Sequence, residues 1–203
     1  MERHDSDSQI NSSIKHIALF ASGNGSNAKK IIEYFAGNEH IVVNLVVCNK
    51  PGAGVTKIAD EYDKPVLMIE KERFFRGDSY LNELHAFKID FIVLAGFLWK
   101  IPEAIIMQYR NRIINIHPAL LPKYGGKGMY GSKVHQAVID AQDTESGITI
   151  HYVDEQYDHG DVIFQVSCPV LTTDNAESLA EKIHRLEHEN FARIIEECVN
   201  RLG

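Results

Sequence analysis

The stretch that decides the fold is residues 17–28, IALFASGNGSNA, in which an apolar run leads into a glycine-rich turn. The run Ile17–Phe20 has the length and composition of a buried strand, and the residues after the turn have helical spacing. Further apolar runs follow along the chain, separated by segments with helical spacing. Strand and helix therefore alternate, which predicts a mainly parallel twisted sheet with helices on both faces.

The alternation sets the expected order of elements. The predicted strands are Ile17–Phe20, Ile41–Val47, Pro65–Ile69, Phe91–Ala95 and Ile113–Ile116. The predicted helices between them are Asn27–Phe35, Val55–Tyr62, Asp78–Phe87 and Pro102–Tyr109. After His117 the rhythm changes, and we expect a loop, a helix, two more exposed strands and a long closing helix, at Tyr124–Gly131, Ser132–Ala141, Gly147–Val153, Val162–Val170 and after Asp174. Asp174 and Glu177 predict a capping box that opens the last helix.

Composition indicates one ordinary globular domain. The 203 residues are 44% hydrophobic and 24% charged. The polar opening segment, residues 1–13, is neither a secretory signal nor a membrane anchor, so we expect a flexible tail, a domain over residues 14–203, no membrane partner and a cytoplasmic location. Cys48, Cys168 and Cys198 lie far apart, which argues against disulfides. The net charge of −7 argues against a nucleic-acid partner.

The turn Ser22–Ala28 connects a strand to a helix, where backbone N–H groups and the positive end of the helix converge. Gly23, Gly25 and Ala28 also match the dinucleotide fingerprint. That fingerprint requires an acidic residue at the end of the second strand, where the chain instead has 47–50, VCNK. The sequence therefore favours a single phosphate over NAD, with a glycine turn that only links two elements as the ordinary alternative.

Residues 115–118, NIHP, end the fifth predicted strand. Strand alternation places Asn115 and His117 on one side, and ligands of such sheets bind beyond the strand ends. An amide donor beside an imidazole is suited to stabilising an oxyanion and moving a proton. A carboxylate from the acidic loop further on would raise the pKa of His117 by its charge, and four residues are candidates: Asp154, Glu155, Asp158 and Asp161.

Residues 184–188, HRLEH, match an inverted zinc-peptidase pattern on a helix. A further protein ligand would have to come from the same helix or from the few residues after it. We therefore expect no metal.

Taken together, the motifs resemble the glycinamide ribonucleotide formyltransferase family. The landmarks are 22–27 (SGNGSN), 94–97 (LAGF), 115–124 (NIHPALLPKY) and the segment 147–160. NIHP with LLP is shared by several folate-dependent formyltransferases, whereas SGNGSN points to the ribonucleotide enzyme. The resemblance implies a Rossmann-like formyltransferase fold with an antiparallel C-terminal portion of the sheet.

The resemblance also implies roles for individual residues. Asn115 and His117 would hold the formyl oxygen as charge develops, and Asp158 would orient and support His117. The substrate phosphate would be bound by Gly25, Ser26 and Asn27, and the ribonucleotide by Glu187. Folate would be bound by Leu98, Trp99, Lys100 and Ile101, partly through backbone groups, and by Asn115.

The reaction implied is direct transfer of the formyl group from 10-formyltetrahydrofolate to the amine of glycinamide ribonucleotide, with protonated His117 and without a metal. The chain departs from the family pattern in three places: His159 follows Asp158, the loop 125–131 is long and glycine-rich, and Trp99 stands where many members have Arg.

Other functions remain to be weighed. Formylation of methionyl-tRNA would need a basic C-terminal domain, and hydrolysis of formyltetrahydrofolate usually accompanies an N-terminal regulatory domain, so both are disfavoured. A non-catalytic binding module is disfavoured by the joint presence of Asn115, His117 and Asp158. A formyltransferase for another sugar-nucleotide amine is the stronger alternative. The oligomeric state, including a homodimer, is left open.

Overall fold

The computed structural model describes residues 14–76 and 80–202. Its seven strands form one sheet in the order β3-β2-β1-β4-β5-β6-β7. The strands are β1 Lys15–Ala21, β2 Ile41–Cys48, β3 Val66–Met68, β4 Phe91–Leu94, β5 Ile113–His117, β6 Glu145–Tyr152 and β7 Val162–Pro169. Strands β1 to β5 pair in parallel, and β6 and β7 are antiparallel. The prediction of an α/β fold with an antiparallel C-terminal portion is confirmed.

Helices occupy the connections between the strands. They are α1 Ser26–Tyr34, α2 Gly54–Glu61, α3 Lys71–Phe75, α4 Leu81–Ala86, α5 Glu103–Gln108, α6 Ser132–Asp140 and α7 Ala176–Asn200. The apolar side chains divide into two clusters. One cluster joins α1, α2 and α7 to one face of the sheet, and the other joins α3, α4 and α5 to the opposite face. Apart from the edge strand β3, whose ends are exposed, the parallel strands are largely buried on both faces, which explains their continuous apolar runs.

The start of the last helix differs from the prediction. The capping box at the start of α7 uses Asn175 and Ser178, not Asp174 and Glu177. Asp174 instead accepts a hydrogen bond from the Leu171 amide and pairs with Lys182. Both pairs of residues have the required spacing, so the pattern alone could not separate them.

The predicted helix Asp78–Phe87 is shorter in the structure, where α4 begins at Leu81, and Asp78 lies outside the described residues. The preceding helix α3 was not predicted, because five residues are too few to show a helical period. The expected tail, residues 1–13, also lies outside the described part of the chain, and the domain boundary at residue 14 stays a prediction.

The strand order reverses between β1 and β4, which are neighbours although β2 and β3 separate them in sequence. Open α/β sheets bind ligands at such a reversal, beyond the carboxyl ends of the strands. Here the ends of β1, β4 and β5 lie side by side. The fold thus brings the turn 22–27, the segment 96–101 and the end of β5 to one edge of the sheet, called the carboxyl edge below.

Among residues 14–76 and 80–202, no helix combines the length and the apolar character needed to cross a membrane.

Candidate active site

The centre of the site is the pairing of β5 with β6. Asn115 lies opposite His151, and His117 lies opposite Thr149, in an antiparallel register. Side chains at alternate positions share a face, so these four polar groups project to the same side of the sheet. The pairing of β5 with β6 therefore brings together groups that are more than thirty residues apart in sequence.

His117 is almost fully buried, with 3% of its surface exposed. Its Nε2 lies 2.8 Å from the carbonyl oxygen of Tyr124. A carbonyl can only accept a hydrogen bond, so Nε2 carries the hydrogen and Nδ1 is the nitrogen that can gain or lose a proton. That Nδ1 faces Asp158, with 3.5 Å between it and Oδ2.

Burial lowers the pKa of His117 below its ordinary value. The charge of Asp158 and the hydrogen bond to Tyr124 act in the opposite direction, but they do not outweigh burial. The expectation that a carboxylate raises the pKa of His117 is thus right for the contribution of Asp158 and wrong for the net shift. The resting site holds a neutral imidazole at neutral pH.

Asp158 is the member of the acidic loop that reaches the end of β5. Its Oδ2 accepts a hydrogen bond of 2.9 Å from the Gly126 amide. Burial alone would raise its pKa, but the adjacent His151 and His117 side chains and the Gly126 amide together lower it. Asp158 is therefore ionised at neutral pH. Its backbone is left-handed, with φ of 54°, an uncommon conformation for a residue with a side chain.

Asn115 connects these groups. Its amide nitrogen Nδ2 lies 3.0 Å from His151 Nε2 and 3.4 Å from Asp158 Oδ1. His151 Nδ1 lies 2.7 Å from the Tyr152 carbonyl, which fixes a hydrogen on Nδ1 and makes Nε2 the acceptor for Asn115. The contact with Asp158 is at the long limit of hydrogen bonding, so the second amide hydrogen is the one that a substrate oxygen can take.

The other acidic candidates do not reach His117 through any described contact. Asp154 accepts from His159 Nδ1 at 3.0 Å, and Glu155 and Asp161 are exposed. His159, which follows Asp158, therefore pairs with Asp154 and not with a group of the His117 cluster. Gly160 completes the turn, because a side chain there would meet the Tyr152 carbonyl oxygen at 2.0 Å.

The predicted phosphate turn lies at the end of β1. Gly25 is the N-cap of α1 with φ of 79°, and an added Cβ would lie 2.8 Å from Val55. No side chain caps this helix and no acidic residue occupies its first turn. The first backbone N–H groups, from Ser26 and Asn27 onward, are thus available to an anion. Position 25 requires glycine, both for its positive φ and for the lack of space for a side chain.

Glu187, on α7, joins the phosphate turn. The side-chain Nδ2 of Asn27 donates to Glu187 Oε2 at 2.9 Å, and Glu187 is 6% exposed. Burial raises the pKa of Glu187, against the opposing effects of Asn27 and His184. His184 and His188 stack with 6.4 Å between ring centroids. In the described part of the chain, no three potential metal ligands are grouped together.

The segment expected to line the folate pocket follows β4. Its Leu98 amide donates to Ser22 Oγ at 3.0 Å, and the Ser22 amide donates to the Gly96 carbonyl at 3.1 Å. These bonds hold the segment beside the phosphate turn. Leu98 and Lys100 are exposed and Ile101 is buried. Trp99 is half-buried against Phe74 and Phe75, with ring centroids 5.7 and 5.6 Å away.

Sequence reasoning missed two residues of this site. His151 hydrogen-bonds Asn115, and its signal was the alternation of Thr149 and His151 in a strand that pairs with β5. Tyr124 contributes a backbone carbonyl, which no residue pattern reveals.

An amide, an imidazole and a carboxylate at the carboxyl edge of a Rossmann-like sheet are groups suited to acyl or formyl transfer. The family described as formyl transferase matches residues 15–195, and the chain belongs to that family. The match includes every site residue described above.

Relatives within the family include proteins named phosphoribosylglycinamide formyltransferase. The enzyme of Bacillus subtilis is 33% identical over 191 residues, covering 92% of this chain and 95% of the relative. The chloroplastic enzyme of Vigna unguiculata is 40% identical over 207 residues, covering 99% of this chain. The chain spans 66% of the length of that plant relative.

The fold comparison agrees. The crystal structure of glycinamide ribonucleotide transformylase 1 from Geobacillus kaustophilus superposes with a TM-score of 0.81 at 34% identity, over 90% of this chain and 97% of that one.

Proposed function

We propose that the protein transfers the formyl group of 10-formyltetrahydrofolate to the amine of glycinamide ribonucleotide in de novo purine biosynthesis. The observation that carries the proposal is the Asn115, His117 and Asp158 cluster, which lies at the same carboxyl edge as the phosphate turn. The names of the relatives support the same activity. The amine attacks the formyl carbon, the oxygen gains negative charge in a tetrahedral intermediate, and the bond to the folate nitrogen then breaks.

Asn115 stabilises the charge on the formyl oxygen. Its Nδ2 hydrogen that faces Asp158 is only weakly engaged, at 3.4 Å, and donates to the oxyanion when substrate is present. His151 holds the other hydrogen and so fixes the orientation of the amide. A positioned donor of this kind is worth about 10²–10³ in rate.

His117 moves the proton. Because its pKa is lowered in the resting site, Nδ1 is free to accept the proton that the attacking amine loses. Asp158, ionised and 3.5 Å away, stabilises the imidazolium that forms. The same Nδ1 then donates this proton to the folate nitrogen, which leaves. His117 is thus neutral before the reaction and protonated only while it carries this proton.

The two substrates meet between neighbouring strand ends. The unpaired N–H groups at Gly25, Ser26 and Asn27 bind the phosphate, and Glu187 binds the ribonucleotide. The segment Leu98–Ile101 binds folate, and since Ile101 is buried, its contribution comes from the backbone. Folate supplies the activated formyl group, and no metal takes part.

The test is the conversion of 10-formyltetrahydrofolate, followed by absorbance, with and without glycinamide ribonucleotide. Release of deformylated folate only with the ribonucleotide is the expected result. Release without it would identify a hydrolase. Failure with the ribonucleotide but turnover with another sugar-nucleotide amine would reassign the acceptor.

We propose the cytoplasm as the compartment, although the Vigna relative is chloroplastic. Fractionation of the source cells, with activity as the marker, tests this location. Sedimentation velocity of the full chain decides between a monomer and the homodimer left open by the sequence.

A further inference from the structure

The turn Tyr124–Gly126, called the clamp turn here, contacts both members of the His117–Asp158 pair. The Tyr124 carbonyl accepts the hydrogen of His117 Nε2 at 2.8 Å. The Gly126 amide donates to Asp158 Oδ2 at 2.9 Å. Two backbone groups separated by one residue therefore set the positions of the imidazole and of the carboxylate that faces it.

The clamp turn is anchored from its other side by Asp143, which lies between α6 and β6. The Tyr124 hydroxyl donates to Asp143 Oδ2 at 2.9 Å, and Lys123 Nζ donates to the same oxygen at 3.1 Å. Hydrogen bonds from Lys123 and then Tyr124 lower the pKa of Asp143, so this carboxylate is ionised and is a strong acceptor. One residue thus bonds His117 through its carbonyl and Asp143 through its side chain.

Tyr124 is half-buried, and it packs against the apolar cluster that joins α7 to the sheet. Its side chain borders a cavity of about 200 Å³ that is also lined by Lys123, Asp143 and Ser146. Its backbone has φ of 57°, in the left-handed region that residues with side chains avoid. An unfavourable backbone conformation persists only where surrounding contacts stabilise it, and the hydroxyl contact with Asp143 is a directional one among them.

We propose that Tyr124 is a positioning residue for His117, and that its hydrogen bond to Asp143 keeps its carbonyl against Nε2. The contact selects the tautomer with hydrogen on Nε2 and leaves Nδ1 facing Asp158 for proton transfer. This inference rests on the proposed role of His117. It assigns a function to Asp143, which lies outside the cluster of groups that would touch the substrates.

The test compares Tyr124→Phe with Lys123→Met. The first variant removes the hydroxyl that reaches Asp143, and the second removes the other partner of the same oxygen but keeps the phenol. We expect Tyr124→Phe to lower kcat about 5–10-fold with both KM values within about twofold, and Lys123→Met to stay close to the parent enzyme. Asp143→Asn keeps an acceptor oxygen and should restore part of the rate relative to Asp143→Ala.

The pH profile separates positioning from a merely structural role. The Tyr124 carbonyl raises the pKa of His117, so a loosened contact should move the acid limb of kcat to lower pH. The other groups that face His117 are Asp158 and His151 on the β6 side and His135 on α6, and the variant leaves them in place. A Tyr124→Phe enzyme with unchanged kcat and pH profile but a lower Tm would overturn the proposal.

A readout without turnover keeps this inference separate from the proposed activity. The ¹⁵N shifts of the His117 ring report which nitrogen carries the hydrogen. We expect a single Nε2–H tautomer in the parent chain and a mixture in Tyr124→Phe. A pure Nε2–H tautomer in both chains would contradict the positioning role of Tyr124, even if formyl transfer is confirmed.

Discussion

Two regions of the carboxyl edge each place an asparagine side chain against a carboxyl group, and the pKa values of the two carboxyl groups shift in opposite directions. In the proposed transfer site (Asn115, His117 and Asp158), Asn115 contacts Asp158, and in the proposed phosphate site (residues 25–27 with Glu187), Asn27 contacts Glu187. The pKa of Asp158 is lowered, whereas burial raises that of Glu187. Asp158 has a backbone amide and two imidazoles around it, and Glu187 has the Asn27 side chain and the His184 imidazole in a deeper setting. The polar neighbours and the depth of burial, more than the residue type, decide the direction in which the pKa of each carboxyl shifts.

The strongest way to test this difference is to remove the imidazole from the transfer site. His117→Ala should lower kcat by about 10²–10⁴-fold, since it deletes the group that moves the proton. His159→Ala is the matched control, because His159 is exposed and pairs with Asp154 instead. Steady-state kinetics with circular dichroism checks both variants. Near-normal turnover in a folded His117→Ala enzyme would remove His117 from the mechanism.

The second test neutralises the charged carboxyl. Asp158→Asn should lower kcat by about 10²-fold and move the acid limb of the kcat profile to lower pH. The sign follows because Asp158 raises the pKa of His117, so its loss lowers that pKa further and protonation of the resting imidazole requires more acid. The pH dependence of kcat at saturating substrate gives the shift. An acid limb at the parent position would show that another group sets it.

The third test applies the same isosteric change to the other carboxyl. Glu187→Gln should raise KM for the ribonucleotide about tenfold and change kcat less than about threefold, since it alters one hydrogen-bonded contact of binding. Initial rates at varied ribonucleotide concentration measure the split. If kcat falls as far as in Asp158→Asn, the two carboxyls do not have separate roles.

The smallest effect is expected away from both carboxyls, at Trp99. The chain has a single tryptophan, so its fluorescence reports this position directly. Binding of 10-formyl-dideazafolate should change the emission, and Trp99→Phe should raise the folate KM less than about threefold, because Phe preserves packing on Phe74 and Phe75. Titration with ribonucleotide alone is the control. No change of emission at saturating folate would place the folate elsewhere.

The sequence predicted the parallel half of the sheet well and the site only in part. Apolar runs and their polar ends located Asn115 and His117, because a buried strand end leaves few alternatives. Asp158 could not be separated from Asp154 by residue type. Its selection depends on a left-handed backbone at Asp158 and on the Gly126 amide, and both arise from tertiary contacts. The family resemblance, rather than the residue pattern, had indicated it.

The remaining misses have the same origin. His151 becomes a partner of Asn115 only through the register of β5 and β6. The amino-acid sequence alone does not specify that register. Tyr124 acts through a carbonyl that every residue possesses. The start of α7 differed by one position because Asp174 and Asn175 are equally good caps, and the hydrogen bonds of Asp174 to Leu171 and Lys182 decided between them.

The hydrogen bond between Asn27 and Glu187 also has a consequence for folding while the ribosome makes the chain. The two residues are 160 positions apart, and a ribosome adding about 5–20 residues per second needs roughly 8–30 s to go from the first to the second. During that interval the glycine turn exists without its acidic partner. A nascent chain therefore cannot assemble the complete proposed ribonucleotide site until α7 has been made and has packed against α1.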